Sequence, residues 1–329
     1  MKILAGDVGG TKTNLALFVG EGSALRRSEL RTFPSGRYAD LESILAEFLA
    51  GKPDVSVACI GVAGPVVSGQ SRVTNLPWVV DEESVRKTVG AKRAYIINDL
   101  QATAFAVPFL PTASLAVLQR GEADPRGNIA VLAAGTGLGA SFLVWTGTGY
   151  VPVASEGGHA DFAPRDEREV RLFWYLQEGH GRVSVERAVS GPGLHAIYRF
   201  LRESEGMAES EGVLARLAAE DPPRVIVQEG LSGGSVTCGE ALRFFSSLYG
   251  AQAGNIALQV MATGGTVLGG GVTPAVLTML SEGPFLESFL SKGRFREFLS
   301  RVPVKVIRDD KAALLGAAHY ALERQEVDG

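Results

Sequence analysis

Two segments of the chain share one pattern: an apolar, β-prone strand, a tight turn of glycine and threonine, and a second apolar strand. In the first, residues 2–5 and 13–19 (TNLALFV) flank GDVGGTK; the second is IAVLAAGTGLGASFLVW, residues 129–145. Each reads as a β-hairpin with an unusually glycine-rich turn. Aligning Thr11 with Thr136 sets glycines beside threonine in both turns, which points to a duplicated structural unit rather than a short-period repeat array. A length of 329 residues suits about two domains of roughly 150 residues each, so length and duplication agree.

Between the hairpins, helix and strand signals alternate. In DLESILAEFLA, Leu41, Ile44, Leu45, Phe48 and Leu49 fall on one face of an amphipathic helix. VSVACIGVAG (55–64) and AYII (94–97) read as strands buried on both faces. Such alternation predicts a mostly parallel α/β sheet, whose ligand sites lie beyond the carboxyl ends of its strands. Asn98 and Asp99 stand at such an end, where a carboxylate is either a helix cap or a group kept for chemistry.

Further along, SGPGLHAIYRFLRE reads as a helix capped by Ser190 with Pro192 in its first turn. Residues 205–238 read as short helices and loops, and a long helix is predicted over about 240–261. A short strand in TGGTVLGGGVTP, a strand in VPVKVI and a helix in DKAALLGAAHYALE complete the chain. The expected division is a small α/β domain over 1–110, completed by a returning strand and helix in 301–329, and a large α/β domain over 111–300.

Composition closes off several functions. A net charge of −4 leaves no basic stripe for nucleic acid. Cys59 and Cys238 show no CxxC spacing, so neither a disulfide framework nor a cysteine zinc site is readable. The N-terminus turns polar at Asp7, and no run of about 18 uncharged apolar residues occurs, which makes a cytoplasmic protein without membrane contact the simplest expectation.

The chemistry-bearing residues are few. In GDVGGTKT, successive glycines let backbone N–H groups converge on an anion, the threonine hydroxyl adds a donor, and Asp7 can reach a water on Mg²⁺. A plain tight turn is the bland alternative. AAGTGLG (133–139) is a second cradle of the same style. No GxxxxGK[ST] is present, and GPGLHA (191–196) matches GxGxxA only formally, because no strand precedes it and Pro192 sits in its middle. SEGGHADFAP gathers Glu156, His159 and Asp161, with Glu186 further on. That set reads as a metal site, as polyol recognition through paired hydrogen bonds to vicinal hydroxyls, or as a solvated loop. His180, His195 and His319 lack comparable company and read as surface or helix-face residues.

Taken together, GDVGGTKTNLAL, IINDLQATA, AAGTGLG, EGGHADFAP, VSVERAVSGPGL and GGTVLGGG resemble, in order and spacing, the bacterial glucokinases of the hexokinase/actin-like ATPase superfamily. The resemblance covers nearly the whole chain. It implies two ribonuclease-H-like (actin-like ATPase) domains around a central cleft and ATP-dependent phosphorylation of the 6-hydroxyl of glucose. Asp99 would be the catalytic base, with Asn98, Asp99, Glu156, His159 and Glu186 binding the sugar. Gly6, Asp7, Val8, Gly9, Gly10 and Thr11, with Gly135, Thr136 and Gly137, would hold the phosphates of ATP around Mg²⁺, Asp7 reaching the metal through water. Gly264, Gly265, Gly269 and Gly270 would lie beside the adenosine.

Two features depart from the family pattern: Lys12 stands where asparagine is usual, and NLPW (75–78) is similar to the related ROK sugar kinases. No cysteine-rich zinc motif follows His159, which favours the non-ROK group. A homodimer is the expected assembly. The rivals are a kinase for another hexose such as mannose, a sugar-sensing relative without activity, and a metal-dependent hydrolase.

Overall fold

The computed structural model describes every residue except 22, 23, 53 and 329. The chain divides into two compact units: residues 1–114, 148–154 and 309–329, and residues 115–147 with 155–308.

The first unit is built on a five-stranded sheet. Its strands are β1 (Lys2–Val8), β2 (Lys12–Glu21), β3 (Ala24–Pro34), β4 (Val57–Val62) and β8 (Arg93–Asn98), in the order β3-β2-β1-β4-β8. A separate small sheet holds β5 (Val66–Val67), β6 (Gln70–Arg72) and β7 (Val79–Asp81). The first hairpin is antiparallel β1–β2, and β1, β4 and β8 run parallel. Helices α1 (Leu41–Leu49), α2 (Glu82–Val89) and α3 (Asp99–Ala106) belong to the same unit.

Alternation along β1 explains why both faces of this sheet are covered. Leu4 and Val8 pack with Leu41, Ile44, Leu45 and Phe48 of α1, whose start is fixed by Asp40 accepting from the Ser43 N–H at 2.8 Å. Ile3 and Ala5 face the other way, against the C-terminal helix. Each fully buried Leu or Ile contributes roughly 1.5–3 kcal/mol.

The second unit repeats the arrangement. Here the strands are β9 (Leu115–Gln119), β10 (Ile129–Ala134), β11 (Leu138–Trp145), β13 (Gly265–Gly269) and β14 (Val304–Ile307), lying side by side as β11-β10-β13-β14-β9. Most of β12 (Tyr150–Ser155) is grouped with the first unit. β10 pairs antiparallel with β11 and parallel with β13, and β13 is parallel to β14, so the relation of β1 to β2, β4 and β8 recurs. The duplication read from the two glycine turns is therefore a duplication of sheet topology.

Helices α4 (Glu167–His180), α5 (Gly191–Glu203), α6 (Glu211–Ala219), α7 (Pro222–Ser232) and α8 (Val236–Gln259) follow. Short helices α9 (Val272–Ala275), α10 (Leu277–Ser281), α11 (Pro284–Leu290) and α12 (Arg296–Arg301) precede β14, and α13 (Ala312–Asp328) ends the chain. Helix α8 is buried nearly all round, and the Tyr249 hydroxyl finds a partner within the core by donating to the Leu132 carbonyl at 3.1 Å.

One expectation is corrected. The strand in VPVKVI does not return to the first unit with the helix behind it; β14 pairs with β13 and β9 in the second sheet, and only α13 crosses back. Among the described residues no helix is long and apolar enough to cross a membrane.

His319 of α13 is 3% exposed and stacks on Phe109, ring centroids 3.6 Å apart and planes within 3°. Burial pulls its pKa down to about 4. The folded state therefore holds a neutral ring that the unfolded chain protonates near pH 6.5. The resulting stability is complete above that pH and is lost as pH falls toward 4. Comparing melting temperature against pH for the protein and a His319→Phe variant, we expect the variant to lose less between pH 7 and 4. Parallel curves would rule this contribution out.

Candidate active site

In the first unit, two acidic residues emerge on one edge of the parallel strands. Val8, Val62 and Asn98 are in register across β1, β4 and β8, so Asp7 and Asp99 share the carboxyl edge, with two strand spacings, roughly 10 Å, between β1 and β8.

The junction at Asp99 is built tightly. Asn98 is the N-cap of α3: its Oδ1 accepts from Leu100 N at 2.9 Å and Gln101 N at 3.3 Å, while Gln101 Oε1 accepts from Asn98 N at 3.1 Å. This capping box, joined by an Asn98 Nδ2 bond to the Gly64 carbonyl at 3.1 Å, fixes where the helix begins. The capping function thus falls to Asn98 and not to Asp99, which is the first helical residue. Asp99 Oδ1 accepts from Leu100 N at 2.8 Å, and its anion sits at a helix N-terminus that stabilises negative charge.

Asp7 ends a chain of hydrogen bonds in which Thr32 donates to Asn14 at 2.7 Å and Asn14 Nδ2 donates to Asp7 Oδ2 at 3.0 Å. Burial raises the Asp7 pKa, the Asn14 bond and the Lys311 charge lower it, and Asp310 raises it. Beyond it the turn is tied down, with Gly9 N donating to Lys12 O at 3.0 Å and Ser35 Oγ to Gly9 O at 2.8 Å. A Cβ on Gly10 would stand 2.9 Å from the Thr74 carbonyl. Gly6 and Val8 are strand residues of the sheet interior: a Cβ on Gly6 would strike Ile60, and Val8 packs in the core.

In the second unit, Gly157–His159 form one turn of 3-10 helix, seated because Gly158 lies so close to β11 that a Cβ there would be 1.8 Å from the Leu138 carbonyl. Glu156, His159 and Glu186 converge. His159 Nε2 is 3.9 Å from Glu156 Oε2 and His159 Nδ1 is 3.9 Å from Glu186 Oε1, too far for hydrogen bonds to one another. Their hydrogen-bonding capacity toward a polyhydroxylated ligand remains. Asp161 is drawn away by Arg182, whose Nε donates to it at 3.0 Å. Among the described residues no group of three or more His, Cys, Asp or Glu is placed to hold a metal ion.

Glu186 also reaches the second glycine turn. Its Oε2 accepts from Leu138 N at 2.8 Å, and a Cβ on Gly137 would lie 2.5 Å from that oxygen. The turn's other side is anchored by Gly191 N donating to the Gly135 carbonyl at 2.8 Å. Next to Gly135 and Thr136 opens a cavity of about 540 Å³ whose walls include Pro192, His195, Asp221 and Gly271.

Sequence reasoning missed these last walls. GPGLHA is a helix start, capped by Ser190 Oγ accepting from Gly193 N at 3.0 Å, yet that start faces the cavity. His195 is a cavity residue rather than a surface one, and burial lowers its pKa, followed by the Arg199 charge. The predicted glycine cluster is split as well. Gly269 and Gly270 lie at the end of β13 in register with the turn after β10, whereas Gly264 and Gly265 lie at its opposite end beside Gly127. The structure does not bring those two to the site.

A family profile described as glucokinase matches residues 4–324. The glucokinase of Nostoc punctiforme is 38% identical, with 96% of this chain and 97% of that protein aligned. The crystal structure of a glucokinase from an Antarctic psychrotroph superposes with a TM-score of 0.85 at 31% identity, covering 98% of this chain and 99% of that one. A ROK family glucokinase from Streptomyces griseus, solved with glucose and AMPPNP, shares the fold at a TM-score of 0.68 and 20% identity, covering 99% and 100% of the two chains.

Proposed function

The chain belongs to the glucokinase family, which phosphorylates glucose with ATP on an actin-like ATPase fold, and from that premise we propose that Asp99 is the general base of the transfer. The observation that carries this reading is the placement of its carboxylate. It is held at the first turn of α3 by the Asn98–Gln101 box, on the strand edge where ligands of parallel α/β sheets bind.

Phosphoryl transfer asks a protein mainly for positioning and charge neutralisation, with one group to orient or deprotonate the nucleophile. Asp99 accepts the proton of the sugar 6-hydroxyl as that oxygen attacks the γ-phosphorus and ADP departs. Asn98, Glu156, His159 and Glu186 hold the remaining hydroxyls. The N–H groups of Gly10 and Thr11 and of Thr136 and Gly137 donate to phosphate oxygens, those of Gly9 and Gly135 being spent within their own turns, and the cavity beside Gly271 receives the nucleoside.

Asp7 suits a hydrated Mg²⁺, which takes one or two carboxylates together with substrate phosphates and keeps several waters. Its buried carboxyl gains from a nearby cation, because burial is what opposes its ionisation. The ion, when bound with ATP, supplies charge neutralisation of the phosphates. The buried free thiols of Cys59 and Cys238 suit a reducing cytoplasm, which we take to be the compartment.

The sugar assignment is tested at Glu186. A Glu186→Gln side chain keeps an acceptor for Leu138 N and loses the charge that a sugar hydroxyl would meet. Losing a charge-assisted hydrogen bond costs about 1.5–3 kcal/mol, so KM for glucose should rise roughly 10-fold to 100-fold. Steady-state kinetics with an unchanged melting temperature would support the role. A KM within twofold of the parent would remove Glu186 from the sugar-binding set.

A further inference from the structure

Behind the cavity assigned to the nucleoside, two buried hydroxyl groups hold the segment that walls it. That segment runs from Gly269 through Gly271 into α9, and it has little hold of its own. Helix α9 is four residues long, too short to persist unaided, and Gly271 before it offers no side chain to cap it. Gly270 adopts a positive φ of 84°, and a Cβ there would strike the Ala134 carbonyl, so the turn lies directly against the end of β10. Gly271 and Val272 line the cavity, while the next residue, Thr273, is fully buried.

In the core Thr273 meets Tyr249 of α8. Their side-chain oxygens are 3.0 Å apart, and neither residue is exposed to solvent. Each hydroxyl has one hydrogen to donate. Thr273 gives its own to the Gly269 carbonyl, one helical turn back, and Tyr249 donates to the Leu132 carbonyl at 3.1 Å. Two hydroxyls thus serve two carbonyls, one at the end of β13 and one in β10, just ahead of the Gly135–Gly137 turn. The Tyr249 ring is itself set by contacts with Phe245 and Phe285, whose centroids lie 5.8 and 5.7 Å away. Water does not compete for bonds this deep, so losing either hydroxyl leaves a buried carbonyl short of its donor.

We propose that Tyr249 and Thr273 are positioning residues for the phosphoryl donor, fixing Gly271 and Val272 at the nucleoside wall without touching the nucleotide. The inference rests on the reading of this cavity as the nucleoside site and adds the pair of side chains that sets its shape. The pair acts on the donor side alone. Glu156, His159 and Glu186, the residues of this unit assigned to glucose, are carried by other segments.

The test is steady-state kinetics of the full chain, with ATP and glucose each varied while the other is saturating. Tyr249→Phe keeps the ring and removes its hydroxyl, and Thr273→Val keeps the side-chain volume and removes the other. Each is expected to raise KM for ATP about fivefold to tenfold, while KM for glucose and kcat stay within about twofold of the parent. Thr273→Ser retains the hydroxyl and should bring KM for ATP back near the parent value. A merely structural pair would lower the melting temperature and leave KM for ATP where it was. That result, or a rise shared equally by ATP and glucose, overturns the proposal. Gly271→Leu separates this inference from the reading beneath it, because a Cβ there meets nothing within 4 Å and the longer side chain enters the cavity. If Gly271→Leu raises KM for ATP and the hydroxyl variants do not, the positioning pair alone is refuted. If Gly271→Leu leaves KM for ATP unchanged, the nucleoside binds elsewhere and both readings fall. Should Tyr249→Phe fail to fold, the valine and serine variants of Thr273 decide the matter: a rise reversed by serine supports the pair, and equal values overturn it.

Discussion

Changing Asp99 to asparagine is expected to lower kcat by about 10²–10⁴ while glucose binding largely survives, because a general base contributes that range and asparagine keeps the volume and polarity of the side chain. The substitution is a clean one in this setting. Helix α3 owes its start to Asn98 and Gln101, so removing the Asp99 charge leaves the cap and the β8–α3 junction in place. Calorimetric glucose affinity and the thermal midpoint should both stay close to the parent. Turnover within a fewfold of the parent would reject Asp99 as the base, and a matching collapse of glucose affinity would make it a binding residue instead.

Gly316→Ala should be the most damaging of the small substitutions to stability. In α13, a Cβ at this position would come to 1.7 Å from the Ala102 carbonyl oxygen and 2.8 Å from Ala106 N, both backbone atoms of α3. Flexible side chains can yield to such an intrusion, but two packed helix backbones cannot. The helices must separate, at a cost of about 3 kcal/mol or more. Because α3 begins at Asp99, the same shift should lower kcat. Gly179→Ala provides the control, since nothing lies within 4 Å of its Cβ in α4 and alanine favours the helix by about 1 kcal/mol. Thermal melts that move equally for the two variants would refute the packing explanation.

Much of the first unit is legible in the amino-acid order because its determinants are local. The spacing of Leu41, Ile44, Leu45 and Phe48 is a helix face wherever it is placed, and all four are buried. GDVGGTK and AAGTGLG had to be turns between strands, since apolar runs on either side leave the chain no other course. The ten residues from Ala94 to Thr103 also carried their own instructions, although which of Asn98 and Asp99 would cap the helix was settled by the reach of Gln101 and by the Gly64 carbonyl beside it.

What escaped the sequence is what long-range pairing decides. Gly264, Gly265, Gly269 and Gly270 look like one cluster in the chain, yet a five-residue strand rises roughly 3.3 Å per residue, which carries the two pairs to opposite edges of the sheet. β14 precedes α13 in the chain but joins the second sheet, because β13 and β9 offer it partners on both sides. The His195 wall arises where segments far apart in sequence meet. Residue types and their periodicity determined the elements, the two glycine-rich turns and the carboxylate at the end of β8. Only the tertiary structure decided which of the candidate glycines, histidines and charges share a surface, since those neighbours are set by hydrogen-bond register and backbone packing between distant segments.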